Sequence, residues 1–175
     1  MQNNLSNWEK AINFHGHACP GLAYGVRASE IALEKLASER AKDEELVAIV
    51  ETDACSVDGI QVITGCTLGK GNLIFKDIGK QAFTFALRKS EKAIRIVMQR
   101  VNIEDRKEKI KYILEGPEQE VCKIQWVDAK IPEKARIFNS VRCEKCGEMF
   151  MESRGRLEEG RVVCLSCFRE YSRGW

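Results

Sequence analysis

Two clusters of soft-metal ligands carry the chemistry that this chain is equipped to do. The first lies near the C-terminus: Cys143 and Cys146, a 17-residue insert, then Cys164 and Cys167. Zinc takes four ligands in a tetrahedron at about 2.3 Å from sulfur, and each Cys-x-x-Cys turn presents two thiolates from one tight bend. Gly147 permits the knuckle turn whose amides point at sulfur. Four thiolates close the coordination sphere, so the expected zinc is structural, with no position open to a substrate.

The second cluster contains both histidines of the chain, in the run His15-Gly-His17-Ala-Cys19. In an extended segment, positions i, i+2 and i+4 share one face, so the three side chains can converge. Pro20 suits the first turn of a helix, which puts Cys19 at its N-cap, where the macrodipole and free amides favour a thiolate. Cys55 stands close to Asp53 and Asp58, and Cys66 just precedes a glycine-rich stretch. Imidazole with two or three thiolates is zinc or iron chemistry. The expected core site is therefore His17, Cys19, Cys55 and Cys66, catalytic if one position is left to water or substrate. His15, Cys19, Asp58 and Lys70 are the candidate catalytic groups, with His15, Asp58 and Lys70 serving substrate. The competing reading makes the thiols small buried hydrophobes and the histidines satisfied core groups. Cys122, in an apolar alternating run, reads as core.

The stretch Gly65-Cys-Thr-Leu-Gly-Lys-Gly-Asn72 is not a Walker A loop, because its first spacing is three residues and Gly71 follows Lys70. Amides around Gly69 and Gly71 form either an anion-binding nest, with Lys70 adding charge, or a plain turn. No Ser–His–acid arrangement or paired-carboxylate motif stands out.

The elements that must position these residues are mixed. Ser6 and Glu9 form a capping-box pattern that opens a helix to about Phe14. A second helix runs from Pro20 to about Ala41, with apolar residues from Leu22 to Leu36 at helical spacing. Leu46–Glu51 reads as a buried strand, and Ser56–Ile63 as a short helix ended by Gly65. Strands are expected at Leu73–Phe75 and Ala82–Leu87, joined around Gly79, and at Ala93–Val97. An amphipathic helix spans Ile103–Leu114, stopped by Gly116-Pro117, and a last strand spans Val121–Lys130. Without a strict βαβ rhythm this is an α+β core, residues 1–130. A linker, 131–139, leads to the finger, 140–175. There Met149–Met151 and Arg161–Val163 fit the arms of a hairpin turning near Glu158–Gly160, followed by a helix from Leu165 to Tyr171, a treble-clef order.

Charge narrows the partners. Net charge is +2 with 31% charged residues, and 44% of the chain is hydrophobic, enough for one core of roughly 130 residues. Arg142 to Arg173 carries seven basic and six acidic residues, so the finger is expected to fold or dimerise rather than bind nucleic acid. No run approaches about 18 consecutive apolar residues, so no membrane span is expected. Met1–Lys10 lacks a basic and apolar leader, and the paired Cys-x-x-Cys spacing favours metal ligation in a reducing cytoplasm over four disulfides.

Taken together, His15-Gly-His-Ala-Cys-Pro-Gly21, Asp53-Ala-Cys55, Asp58-Gly-Ile-Gln61, Thr64-Gly-Cys-Thr-Leu-Gly-Lys-Gly-Asn72 and the appended four-cysteine finger resemble the E-subunit family of formylmethanofuran dehydrogenase. The resemblance covers most of the chain and implies an α+β core and a homodimer. The family takes its name from a complex that interconverts carbon dioxide and formylmethanofuran at a molybdenum or tungsten pterin, chemistry that belongs to larger subunits. The implied function is a metal-dependent enzyme or enzyme subunit linked to one-carbon or molybdenum/tungsten metabolism, acting alone or within a larger oxidoreductase complex. The alternatives are an accessory subunit or a metal or cofactor carrier, and after those a nucleic-acid-binding regulator.

Overall fold

A computed structural model of the chain describes residues 5–89, 92–128 and 130–174. Residues 1–4 of the segment read for a leader, Ala129 of the predicted last strand and Trp175 of the finger lie outside the described residues. The chain divides into two compact units, Met1–Ala135 and Arg136–Trp175.

The first unit is α+β. Its opening helix, α1 (Asn7–His15), has the full capping box: the Ser6 hydroxyl accepts from the Glu9 amide, and Glu9 accepts from the Ser6 amide. Gly16, left-handed at φ 91°, ends it. Helix α2 (Pro20–Lys35) stops six residues short of the predicted Ala41. Apolar periodicity runs on past Lys35, but Ala37 turns left-handed and the Ala41 amide bonds to the Thr64 carbonyl instead. The chain is thereby turned back into β1 (Leu46–Val50), followed by α3 (Ser56–Thr64) and β2 (Leu73–Phe75).

The remaining elements are β3 (Ala82–Leu87), β4 (Ala93–Met98), α4 (Arg106–Glu115), a single turn α5 (Glu118–Val121) and β5 (Cys122–Val127). The predicted last strand thus starts one residue late, because Glu118–Val121 is helical. The strands form one mixed sheet in the order β2-β1-β3-β4-β5, with β1 and β2 parallel and the other pairs antiparallel. β2 and β3, joined through Gly79 as expected, lie on either side of β1. Every second residue of the central strands faces the helices: Leu46, Ala48 and Val50, Phe83 and Phe85, Ile94 and Ile96. These pack against Ala28, Ile31 and Ala32 of α2, Ile60 of α3 and Ile113 of α4. Leu22 and Val26 on another side of α2 join Ala11 and Ile63 in a second cluster that holds α1 and α3 to it.

Behind the sheet, Arg95 grips Glu51 with two parallel bonds of 2.8 and 2.9 Å. The Arg95 guanidinium holds the Glu51 carboxyl below the usual carboxylate range. A carboxyl lowered on folding stabilises the fold above its unfolded pKa, and that contribution is lost as pH falls through the folded value. Glu51→Gln is therefore expected to cost about 2 kcal/mol at neutral pH. In urea titrations the gap between wild type and variant should close under strongly acidic conditions. A gap independent of pH would count against the pair's role.

In the second unit β6 (Ser140–Arg142) pairs with β7 (Met149–Met151), and β8 (Arg156–Glu158) with β9 (Arg161–Val163). The predicted hairpin of Met149–Met151 with Arg161–Val163 is replaced by these two. The predicted turn does close β8 onto β9, with Glu159 and Gly160 at φ 51° and 78°, the hand that two-residue hairpins need. No helix forms between Leu165 and Tyr171. One turn, with the Phe168 amide on the Cys164 carbonyl, is not continued. A helix that short needs tertiary packing to persist, and Leu165 and Tyr171 are both exposed. Among the described residues no helix is long and apolar enough to cross a membrane.

Candidate metal centres

The finger brings the four predicted sulfurs, Cys143, Cys146, Cys164 and Cys167, within 4.8 Å of one another. Cys146 and Cys164 stand 4.0 Å apart, close to the edge of about 3.8 Å that a tetrahedral ZnS4 centre requires. The first knuckle is closed by the Gly147 amide on the Cys143 carbonyl and the second by the Cys167 amide on the Cys164 carbonyl. Glu144 ties the first knuckle to β9, its amide bonding to the Val162 carbonyl and its carboxylate accepting from the Val162 amide at 2.7 Å. Backbone amides of Cys146 and Cys164 pull the Cys143 thiol down to about 6, whereas its neighbour Cys164 drives the Cys167 thiol up to about 12. Four thiols so crowded cannot all ionise unaided, and a divalent cation removes the conflict. The cluster is a structural zinc site.

The N-terminal cluster is assembled differently from the extended geometry expected. His15 is the last residue of α1, and the left-handed Gly16 folds His17 back so that the two rings lie 4.6 Å apart. Cys19 is the N-cap of α2 as predicted, its sulfur accepting from the Leu22 amide at 3.3 Å. The ligand atoms of His15, His17 and Cys19 lie within 4.8 Å of one another, with Cys19 buried and His17 exposed. His15 Nε2 is 3.8 Å from Cys19 Sγ, and its Nδ1 is 2.6 Å from Asp58 Oδ2. Asp58 is in the first turn of α3 and also accepts from Gln61 Nε2. Asp58 thus holds the His15 ring from behind, the arrangement that fixes a ligating imidazole.

Of the other predicted residues, Cys55 lies beside Cys19 without joining the three-residue group, and two lie elsewhere. Cys55 is the N-cap residue of α3; burial, then the Cys19 thiol beside it, pushes its own thiol up. Its position depends on two glycines at the crossing of α2 and α3. A Cβ on Gly25 would meet the Ser56 carbonyl oxygen at 1.9 Å, and one on Gly59 would meet the Val26 nitrogen at 2.8 Å. The expectation that Cys66 is a ligand is corrected. It is fully buried, its thiol donates to the Leu46 carbonyl at 3.3 Å, and burial raises its pKa to about 11. Lys70 points to the Ala41 carbonyl and does not line the cleft. The nest reading of its loop gives way to the turn: the Lys70, Gly71 and Leu73 amides bond to Thr67 and Leu68, and buried Asn72 braces the loop on Asp43 and Leu46. Cys122 is core, its thiol raised by burial.

Beside the group opens a cleft of about 400 Å³. His15, Asp53, Cys55 and Asp58 line it together with the apolar side chains of Val50, Leu68, Leu73 and Phe75. Leu68 and Phe75 are 70% and 45% exposed, which marks them as walls rather than core. Hydrophobic periodicity did not single them out, because exposed apolar residues are common on any surface.

The family model described as "FmdE, Molybdenum formylmethanofuran dehydrogenase operon" matches residues 14–139, and that described as "Prokaryotic dksA/traR C4-type zinc finger" matches residues 136–173. The chain is 38% identical, over 196 aligned residues, to a "Probable S-adenosyl-L-methionine-binding protein" of Archaeoglobus fulgidus. The alignment takes in 93% of this chain and 52% of that protein, so the chain spans about half the length of that curated relative. Among solved structures, an FmdE-like protein of the tungsten formylmethanofuran dehydrogenase type from Syntrophus aciditrophicus superposes with a TM-score of 0.70 at 25% identity, covering 91% of this chain and 88% of that one.

Proposed function

The chain belongs to the FmdE family of formylmethanofuran dehydrogenase operons, and from that premise we propose that it is a metal-dependent enzyme, or a subunit of one, acting in one-carbon metabolism. The observation that carries the reading is the line Asp58–His15–Cys19, of which Asp58 and His15 line the cleft. His15 Nε2, a ring nitrogen of His17 and Cys19 Sγ fit a zinc or ferrous ion by ligand type and mutual distance, with Cys55 or a ligand in the cleft as the fourth donor. Such an ion supplies Lewis-acid polarisation of a bound oxygen. The chain's own residues do the rest. Asp58 accepts the Nδ1 proton of His15 and keeps Nε2 directed at the centre. Cys19, buried at the N-cap, keeps its sulfur solvated by the Leu22 amide. The apolar side chains of Val50, Leu68, Leu73 and Phe75 share the cleft's lining with Asp53 and Asp58 and lower the polarity around a bound ligand. A homodimer in the cytoplasm fits this reading, and Trp126, 58% exposed on edge strand β5, offers apolar surface to a second copy.

Elemental analysis tests the proposal. Purified protein is expected to carry two metal equivalents, falling to one in Cys19→Ser and in His15→Ala with melting nearly unchanged. One zinc in the wild type, unaffected by Cys19→Ser, would remove the core site.

The Archaeoglobus relative supports a second reading, that the cleft takes S-adenosyl-L-methionine. A flat base against Phe75 and Leu68, with ribose hydroxyls on Asp53, matches the mixed apolar and acidic lining. Calorimetric titration with S-adenosyl-L-methionine separates the readings, since binding that survives Cys19→Ser needs no metal.

A further inference from the structure

A second hollow, of about 320 Å³, opens on the same unit and is lined by Lys10, Phe14, Arg40, Gln61, Val62 and Thr67. Its lining residues neighbour those of the cleft at three places. Phe14 precedes His15, Thr67 precedes Leu68, and Gln61 donates to Asp58 across the edge of α3 at 3.4 Å. The two hollows have opposite character. The cleft carries Asp53 and Asp58, whereas the second hollow carries two cations and no carboxylate in its lining.

Three features give this hollow the form of an anion site. Neither Lys10 nor Arg40 takes part in an ion pair among the described residues. Arg40 is nevertheless held in place: its Nε donates to the Val62 carbonyl at 3.0 Å, and its stem crosses Gly65. A Cβ on Gly65 would stand 3.1 Å from Arg40 Cγ and 2.5 Å from the Ala41 carbonyl oxygen, so only glycine leaves the stem that path. With Nε occupied, the two terminal nitrogens are the part of the fork left to grip an oxyanion. Phe14, 60% exposed, sets an aromatic face beside the two charges.

We propose that the hollow binds the anionic end of the ligand whose other end enters the cleft: a phosphate or carboxylate carried on a flat ring. The oxyanion lies between Lys10 and Arg40, and the ring lies on Phe14. Only the ligand's head rests on the metal reading; the anion site stands on residues that touch no metal ligand other than through Asp58 and the chain link to His15.

Amide chemical-shift titrations with phenyl phosphate, benzoate and phenol test it. Phenyl phosphate or benzoate is expected to shift the Lys10, Phe14, Gln61, Val62 and Thr67 amides saturably, and the tighter of the two identifies the oxyanion. Phenol should bind at least tenfold more weakly, and Lys10→Gln with Arg40→Gln should weaken the anion by about tenfold or more. Both cations are exposed, so the double variant keeps its fold. Cys19→Ser should leave phenyl phosphate binding intact, which separates failure of this site from failure of the metal centre. Absence of saturable shifts for both anions, equal binding of phenol, or indifference to the double substitution would overturn the proposal.

Discussion

Replacing Cys164 by serine is expected to release one equivalent of zinc and to unfold residues 136–174, leaving the sheet unit folded. The second unit has almost no core of its own. Cys143 and Val163 are its only buried hydrophobic residues among those described, and its four strands are three residues each. Strands that short do not persist as isolated hairpins in water. What remains is the metal, whose binding in such modules is worth about 10–16 kcal/mol and is folding free energy. Serine offers a hard, protonated oxygen in place of thiolate, so the affinity that holds both knuckles collapses. Limited proteolysis and zinc quantitation of the full chain read the outcome, and a chelator applied to the wild type should reproduce it. A soluble variant with unaltered zinc content and protection would show that packing alone holds the finger.

Gly25→Ala should be the most damaging single methyl in the first unit. The added carbon would stand 1.9 Å from the Ser56 carbonyl oxygen, a backbone atom that cannot turn aside as a side chain would. α2 and α3 must separate, and the cost is expected to be about 3 kcal/mol or more. The separation also carries Cys55 away from Cys19 and Asp58 away from His15. The core metal proposed above should therefore be lost before global unfolding, which a simple stability defect does not produce. Gly59→Ala, whose Cβ would meet the Val26 nitrogen at 2.8 Å, is expected to act in the same direction more mildly. An unchanged urea midpoint together with wild-type metal content would contradict the account.

The limits of sequence reasoning fall at identifiable residues. Wherever a signal is local it was legible: the Ser6–Glu9 capping box, Cys19 at an N-cap, Gly65 ending α3 and the Glu159-Gly160 turn all depend on neighbours within a few positions. The paired cysteines of the finger belong to this class, because ligand type and spacing alone dictate a tetrahedral site. Partnership across the chain was not legible. Residues that look alike in sequence, Cys55 and Cys66, part company because one sits at the N-cap of α3 beside Cys19 while the other faces the Leu46 carbonyl in the core. Likewise β2 and β3, neighbours in sequence, take opposite sides of β1. The absence of a finger helix follows from the same cause, since seven residues cannot hold a helix that nothing packs against.

By itself the sequence determined the α+β class, the zinc finger and the histidine–cysteine run as the place where chemistry is possible. The tertiary structure decided which thiols reach that place, that Asp58 stands behind His15, and that an acidic cleft adjoins a basic hollow. The division has one physical reason. Caps, turns and metal knuckles are set by interactions within a few residues, whereas a site is set by which helices can approach, and here that approach turns on two glycines with no side chain to prevent it.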